Sequence, residues 1–343
     1  MHRPDVCFTP QGFARGTSRS LPPQFRALST RRLLMLMPIE TCTNSAPFWI
    51  AGLGIFFAAM FVRTFPAVRG TTLVGVWTWS TAALIALLGM ELAAWARPAQ
   101  HWIDAGRYAA AILSLAPFVS VLGAKRPQHR AWQLVVLTLV AVLVLPALQS
   151  TLLHPGARIQ VHAAMGVFLV ALLLVEFVNY ALTRYLAPIL LIVAGQGILL
   201  GPFLPWLRWS AEGANALFAM TVLALGLLAA VVIRGKRRGA GRDRVWVAFC
   251  DAYGLLWGMR VAERFNHETR ARGESEHVTW RGRITNASTT VDSGSPSAMQ
   301  HEKKSSTESA APADIDGVAM RRLSALLLRF VSKQWIARHF DEP

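Results

Sequence analysis

Residues 131–148 read AWQLVVLTLVAVLVLPAL, eighteen positions without a charge. At about 1.5 Å of rise per residue, a helix of that length spans about 27 Å, close to the roughly 30 Å hydrocarbon layer of a bilayer. The stretch lacks the two-residue alternation of a barrel strand, and it has no polar face to turn toward water. Lipid is the solvent that suits it.

Six further runs have the same character: Ala46–Val62, Thr72–Trp95, Tyr108–Ala124, Val161–Leu182, Tyr185–Trp206 and Asn215–Ile233. A backbone inside lipid has no water to bond with, so apolar segments of this length fold as helices. The breaks between runs are short and carry Arg, Lys, Pro and Gly, which makes sequence neighbours antiparallel neighbours in space. Trp49, Trp95, Trp102, Trp132, Trp206, Trp209, Tyr108 and Tyr185 fall at or near run ends, the headgroup level that amphipathic rings favour. The predicted fold is all-α, a polytopic bundle of about seven spans over 46–233. Six or eight spans are the alternatives, because the first and third runs are short.

The charges agree with this division. Residues 46–233 hold ten basic and four acidic groups, whereas residues 234–343 hold nineteen and thirteen. So few charges cannot clothe 188 residues against water. In the short loops and just after the last span, one side collects Arg63, Arg69, Lys125, Arg126, Arg130, Arg184, Arg234, Lys236, Arg237, Arg238, Arg242 and Arg244. The other side collects Arg97, Arg107, Arg158 and Arg208. Twelve against four predicts a cytoplasmic C-terminus by the positive-inside rule. An odd number of spans then puts the N-terminus outside, at odds with the six arginines of residues 1–45. Translation from Met35 or Met37 would remove all six; an even span count with both ends inside is the alternative. Residues 1–45 read as a disordered tail. The Arg31-Arg32 pair is followed by too short an apolar stretch for a cleavable signal, so the first span is the anchor.

Several chemistries fail on missing residues. None of the seven runs contains a lysine, so a retinal Schiff base has no attachment point. His267-Glu268 begins like a zinc-protease motif, but Ala271 stands where the second histidine belongs. There is no nucleophile elbow and no phosphate loop. His162 is the single histidine inside a run, so a bis-histidine haem is not supplied. His101, His154 and His162 share one predicted face without a spacing that enforces a metal site. Cys7, Cys42 and Cys250 form neither a pair nor a cluster. The sequence therefore predicts no metal and no resident cofactor, and an enzyme is the least favoured class.

The positive signals are polar residues within the runs, since each charged group there asks for a partner or a purpose. Glu176 is followed by Asn179, Tyr180 and Arg184 at helical spacing, so its carboxyl can bond along its own face. Gln196 sits between Gly195 and Gly197, and Gly197-x-x-x-Gly201 is a small-residue face suited to close helix contact. Glu91 ends the second run, with water in reach. Glu176, Asn179, Tyr180, Gln196 and Glu91 are the candidate intramembrane polar site. Pro117, Pro146 and Pro188 mark expected kinks.

Beyond the last run, Arg234, Lys236, Arg237, Arg238, Arg242 and Arg244 form a polybasic stretch suited to anionic lipid headgroups. Nucleic acid is not expected, because this charge sits beside a membrane end. Residues 245–272 carry Trp246, Phe249, Cys250, Tyr253, Trp257, Val261 and Phe265 at three- and four-residue steps, which predicts an amphipathic helix within the 234–285 region. His277–Ile284 alternates weakly, like a strand. Residues 286–316 have a linker's composition. Residues 317–343 present Met320, Leu323, Leu327, Phe330, Val331 and Trp335 on one side of a basic helix, suited to a membrane surface or a protein partner.

The loop Leu122-Gly-Ala-Lys-Arg-Pro-Gln128 leading into Trp132-Gln133, and the segment Trp257-Gly258-x-Arg260-Val261-x-Glu263-Arg264, resemble features of uncharacterised bacterial multi-spanning membrane proteins. The resemblance runs from Ala46 onward and implies a bacterial cytoplasmic (inner) membrane setting, with no activity attached. The favoured expectation is a membrane scaffold or assembly protein with a partner- or lipid-binding tail. The alternatives are a small-solute or proton-coupled transporter using Glu176, and a membrane-embedded enzyme.

Overall fold

The computed structural model describes residues 46–96, 100–125, 128–153, 159, 161–207, 213–234, 241–273, 276–279, 284–286 and 313–341. The N-terminal 45 residues, His154, most of the 286–316 linker, and Lys236, Arg237 and Arg238 lie outside them, as does the side chain of Arg242. Among the described residues, seven helical segments are long and apolar enough to cross a membrane. They comprise α1 (Ala46–Val68), α2 (Val74–Trp95), α3 (Gln100–Leu113) with α4 (Ala116–Leu122), α5 (His129–Leu152), α6 (Ala163–Ala181), α7 (Leu186–Leu200) and α8 (Gly213–Arg234). The protein is a multi-pass, all-α membrane protein.

Two boundaries differ from expectation in a way that matters. The first helix runs on to Val68, past Arg63 and through Pro66. The third span begins at His101 rather than Tyr108, so Arg107 is a helix residue and not a loop charge. That span is also the axis of the bundle: 61% of its window is buried, against 17% for the first, second and fourth. It is broken between α3 and α4, where Pro117 in the first turn of α4 lacks an amide proton to give to the preceding turn. Helices α7 and α8 pack most extensively on each other. Gly195 makes this possible, since a Cβ there would meet Leu223 and, at 3.1 Å, the Ala219 carbonyl. Gly197 faces open space, so the small-residue contact falls on Gly195 and not on the Gly197-x-x-x-Gly201 face.

The C-terminal region folds against one end of the bundle. It comprises α9 (Gly241–Arg270), the two-stranded hairpin β1 (Glu276–Val278) and β2 (Ile284–Asn286), α10 (Ala313–Leu327) and α11 (Lys333–Asp341). The weak alternation around His277–Ile284 is thus two short antiparallel strands. The helix expected over 317–343 is two helices, separated at Leu328–Ser332 by a turn whose Val331 bridges Thr71. The aromatic stripe of α9 packs on α10 and α11 to form a second core containing Trp246, Phe249, Tyr253, Trp257, Phe330 and Trp335. Phe330 lies at its centre, edge-on to Phe249, Tyr253 and Trp257 at 4.9–5.4 Å between ring centroids. The stripe that suits a lipid surface by its periodicity is spent on protein.

Candidate functional site

The polar residues within the spans separate into three places. Glu176 on α6 and Gln196 on α7 are brought together, both buried. The Gln196 amide meets the Glu176 carboxyl and donates at 2.9 Å to the Ser114 carbonyl, at the break between α3 and α4. A broken helix inside lipid needs a neighbour to bond its backbone, and Gln196 does so here. Glu176 Oε2 and Gln196 Oε1 have no hydrogen-bond partner among the described residues. Glu176 also lines a cavity of about 200 Å³ with Tyr180, Tyr185 and chiefly apolar walls that include Val76, Phe118, Ile189 and Ile192. Chemically this is a carboxyl with one uncommitted oxygen beside an apolar cavity.

Asn179, one turn further along α6, faces the C-terminal region instead, whereas Tyr180 both lines the cavity beside Glu176 and reaches that region. Gly254 interrupts α9 with φ 78° and ψ −178°, a conformation open almost only to glycine. The interruption frees the Leu256 amide, which donates to Asn179 Oδ1 at 3.0 Å. Asn179 therefore caps the second half of α9. The fit is close enough that a Cβ on residue 254 would run into the Asn179 amide. Tyr180 donates to the Ala252 carbonyl at 3.4 Å, on the other side of the same break. A shared helix face groups both residues with Glu176; the structure keeps Tyr180 beside the same cavity and commits Asn179 to α9. Gly254 reads in the sequence as a glycine that weakens the amphipathic helix and allows close packing; its positive φ and its contact with Asn179 are what the structure adds.

The seam between bundle and C-terminal region continues away from Asn179. The Trp257 indole donates to the Val121 carbonyl at 2.9 Å, and the Thr72 amide donates to the Phe330 carbonyl at 3.0 Å. The Tyr253 hydroxyl donates to that same carbonyl at 3.0 Å and lies 3.1 Å from the Thr72 hydroxyl. These partners are separated by 77 to 258 positions in sequence, so no local pattern announces them.

Glu91 is elsewhere. It forms a two-pronged ion pair with Arg107, Nε to Oε1 at 2.8 Å and Nη2 to Oε2 at 2.9 Å. Both side chains are largely buried, 6% and 13% exposed, so this is a structural pair rather than a wet surface acid. Of the polybasic residues, Arg234 and Arg244 line one cavity of about 270 Å³, together with Arg184, Arg338 and His339. Arg184 is held at 2.7 Å from the buried Asp251 carboxylate, an ion contact rather than an aligned hydrogen bond. Among the described residues no group of three or more His, Cys, Asp or Glu is arranged to hold a metal ion. No protein-family model, curated protein or solved structure matches the chain.

Proposed function

We propose that the protein is a membrane scaffold or assembly factor of a bacterial inner membrane, with its C-terminal region on the cytoplasmic side. The observation that carries this reading is the Asn179–Gly254 seam. The C-terminal region is fastened to the bundle there and by the buried hydrogen bonds of Trp257 and Tyr253, which is what a platform for another protein requires. Leu256 and Met259 remain 38% and 55% exposed on α9, beside the exposed Arg260 and Glu263, and form the candidate contact face. The positive-inside distribution supports the orientation, and the polybasic stretch adds attraction to anionic headgroups. The test is quantitative affinity purification in detergent, comparing the parent with Met259→Glu. A partner present in stoichiometric amount with the parent and depleted in the variant is expected. The same co-purifying set from both would overturn the assignment of this face.

A second reading, a proton-coupled or small-solute transporter, draws on the uncommitted Glu176 oxygen beside the 200 Å³ cavity. Glu176→Gln keeps the shape and the hydrogen-bonding capacity but cannot carry charge. The scaffold reading expects a melting transition within about 1 kcal/mol of the parent and unchanged function in cells. Loss of cellular function with stability intact would favour transport.

A further inference from the structure

The 270 Å³ cavity is roofed by the C-terminal region and floored by the end of the bundle. Arg184 and Arg234 come from the bundle, Arg244 from α9 and Arg338 from α11, so three parts of the chain deliver guanidinium groups to one space. His339 also lines it, and among the described residues Asp251 is the one carboxylate in the lining. Asp251 is already committed to holding Arg184. Among the described residues four arginines thus face one carboxylate, which makes the chamber cationic. Guanidinium forks match phosphate oxygens two at a time.

The chamber does not close on its bilayer side. Val68, Leu73, Tyr185, Arg234 and Ala252 also line a second cavity of about 300 Å³. That cavity continues down the bundle between α1, α2 and α8 along Phe61, Thr64, Val76, Trp77, Leu227 and Ala230. Each of these six is half-buried, as side chains bordering a groove are. The groove in turn shares Val76, Val121, Tyr180, Tyr185 and Ala230 with the cavity beside Glu176. A cationic chamber at a membrane end, opening into an apolar groove that runs along the spans, has the polarity profile of one kind of molecule.

We infer that this composite cavity binds one anionic phospholipid, its phosphate among Arg184, Arg234, Arg244 and Arg338 and an acyl chain in the groove between α1, α2 and α8. The site deepens the lipid-facing part of the function proposed above but is distinct from the diffuse attraction of the polybasic stretch, since Arg184 and Arg338 lie outside that stretch. Arg184 is positioned in advance by Asp251, so that side chain needs little ordering at the moment of binding. A headgroup seated there would touch the bundle, α9 and α11 at once, and would tie the C-terminal region to the membrane.

Native mass spectrometry of the full chain in detergent tests this, with phosphatidylglycerol titrated against phosphatidylcholine. Detergent micelles have no inside or outside, so a wrong orientation or a missing protein partner would not disturb the result. The parent is expected to retain one phosphatidylglycerol in preference to phosphatidylcholine. Arg338→Gln and Arg234→Gln, both at exposed positions that spare the Arg184–Asp251 pair, should each lower retention about tenfold. Ala230→Trp, which fills the groove, should lower it as well, whereas Arg237→Gln with Arg238→Gln should leave it unchanged. Melting transitions equal to the parent's confirm that each variant is folded, and Arg338→Lys should retain part of the binding. Equal retention of the two lipids, or loss only in the Arg237/Arg238 variant, overturns the site. Competition by millimolar inorganic phosphate, with Ala230→Trp silent, would also overturn it by assigning the chamber to a soluble anion.

Discussion

In the bundle the buried positions fall heavily on Ala105, Ala110, Ala111, Ala216, Ala219 and Ala224 among leucines. In the C-terminal region they fall on Trp246, Phe249, Tyr253, Trp257, Phe265, Phe330 and Trp335. The difference follows from the solvent each core is withdrawn from. Lipid tails are as apolar as leucine, so burying a large side chain between spans gains little beyond contact, and close approach of small residues is the productive strategy. Water rewards burial by area, and aromatic rings supply the most of it. The bundle is therefore held by fit and by a few polar contacts, whereas the C-terminal region is held by its rings.

The sharpest test removes a charge from the bundle. Arg107→Ala would leave the Glu91 carboxylate buried without its counter-ion, at a cost of about 3–5 kcal/mol in a detergent melt. Adding Glu91→Gln should restore most of it. If the single variant melts like the parent, polar contacts are not what holds this end of the bundle.

Phe330→Ala probes the other core. The ring is 2% exposed and touches three aromatic partners. Its loss should cost about 3–4 kcal/mol and leave a cavity that the fixed turn at Leu328–Ser332 cannot close. Limited proteolysis should then cut within 241–341 while the spans stay protected. Simultaneous loss of both regions would show that the two cores melt as one.

Gly254→Ala addresses the seam between them. It forces a side chain into a glycine-only conformation and against Asn179, and about 1–3 kcal/mol is expected. Asn179→Ala removes the acceptor for the Leu256 amide, and its cost should be strongly non-additive with that of Gly254→Ala. Additive costs would mean that the two residues act separately.

The effect that is smallest near neutral pH is one of titration. The Cys250 thiol is pushed up to about 12, chiefly by burial and then by the neighbouring Asp251 carboxylate. An unfolded thiol ionises near 8.5. The fold thus disfavours the thiolate: this part of its stability is complete below about pH 8.5 and drains away as pH rises toward 12. The alkaline slope of the melting temperature should be shallower in Cys250→Ala. Alkylation of Cys250 in the native protein at pH 8 should be slow compared with a free thiol.

Much of this architecture is legible in the sequence, because lipid imposes a rule that needs no tertiary knowledge. An apolar run such as 131–148 must be a helix across a bilayer. Where the reading of the site departs from the structure, the missing information is a partner. Arg107 looks like a loop charge until Glu91, sixteen positions earlier, is seen to neutralise it within the bundle. Asn179 shares a helix face with Glu176, but that face is divided between a span and the C-terminal region, with Tyr180 reaching both, and helical periodicity does not record the division. The turn at Leu328–Ser332 contains neither glycine nor proline; it forms because Phe330 and Val331 are drawn to other elements. Amphipathicity identifies which side of α9 is covered without saying by what.

The antiparallel bridge between Thr71 and Val331 also sets a clock on the ribosome. The α1–α2 turn is made early, and the segment that completes it is made about 260 residues later, a delay of about 13–50 seconds at 5–20 residues per second. Throughout that interval the Thr72 amide lacks the Phe330 carbonyl, and over its last 73–81 residues Trp257, Tyr253 and Phe249 lack the ring that covers them. A stalled or truncated product would be left displaying an aromatic stripe beside the membrane, the kind of surface that chaperones and proteases recognise. Seating Phe330 hides it, so one late ring distinguishes a chain that has passed this point from one that has not.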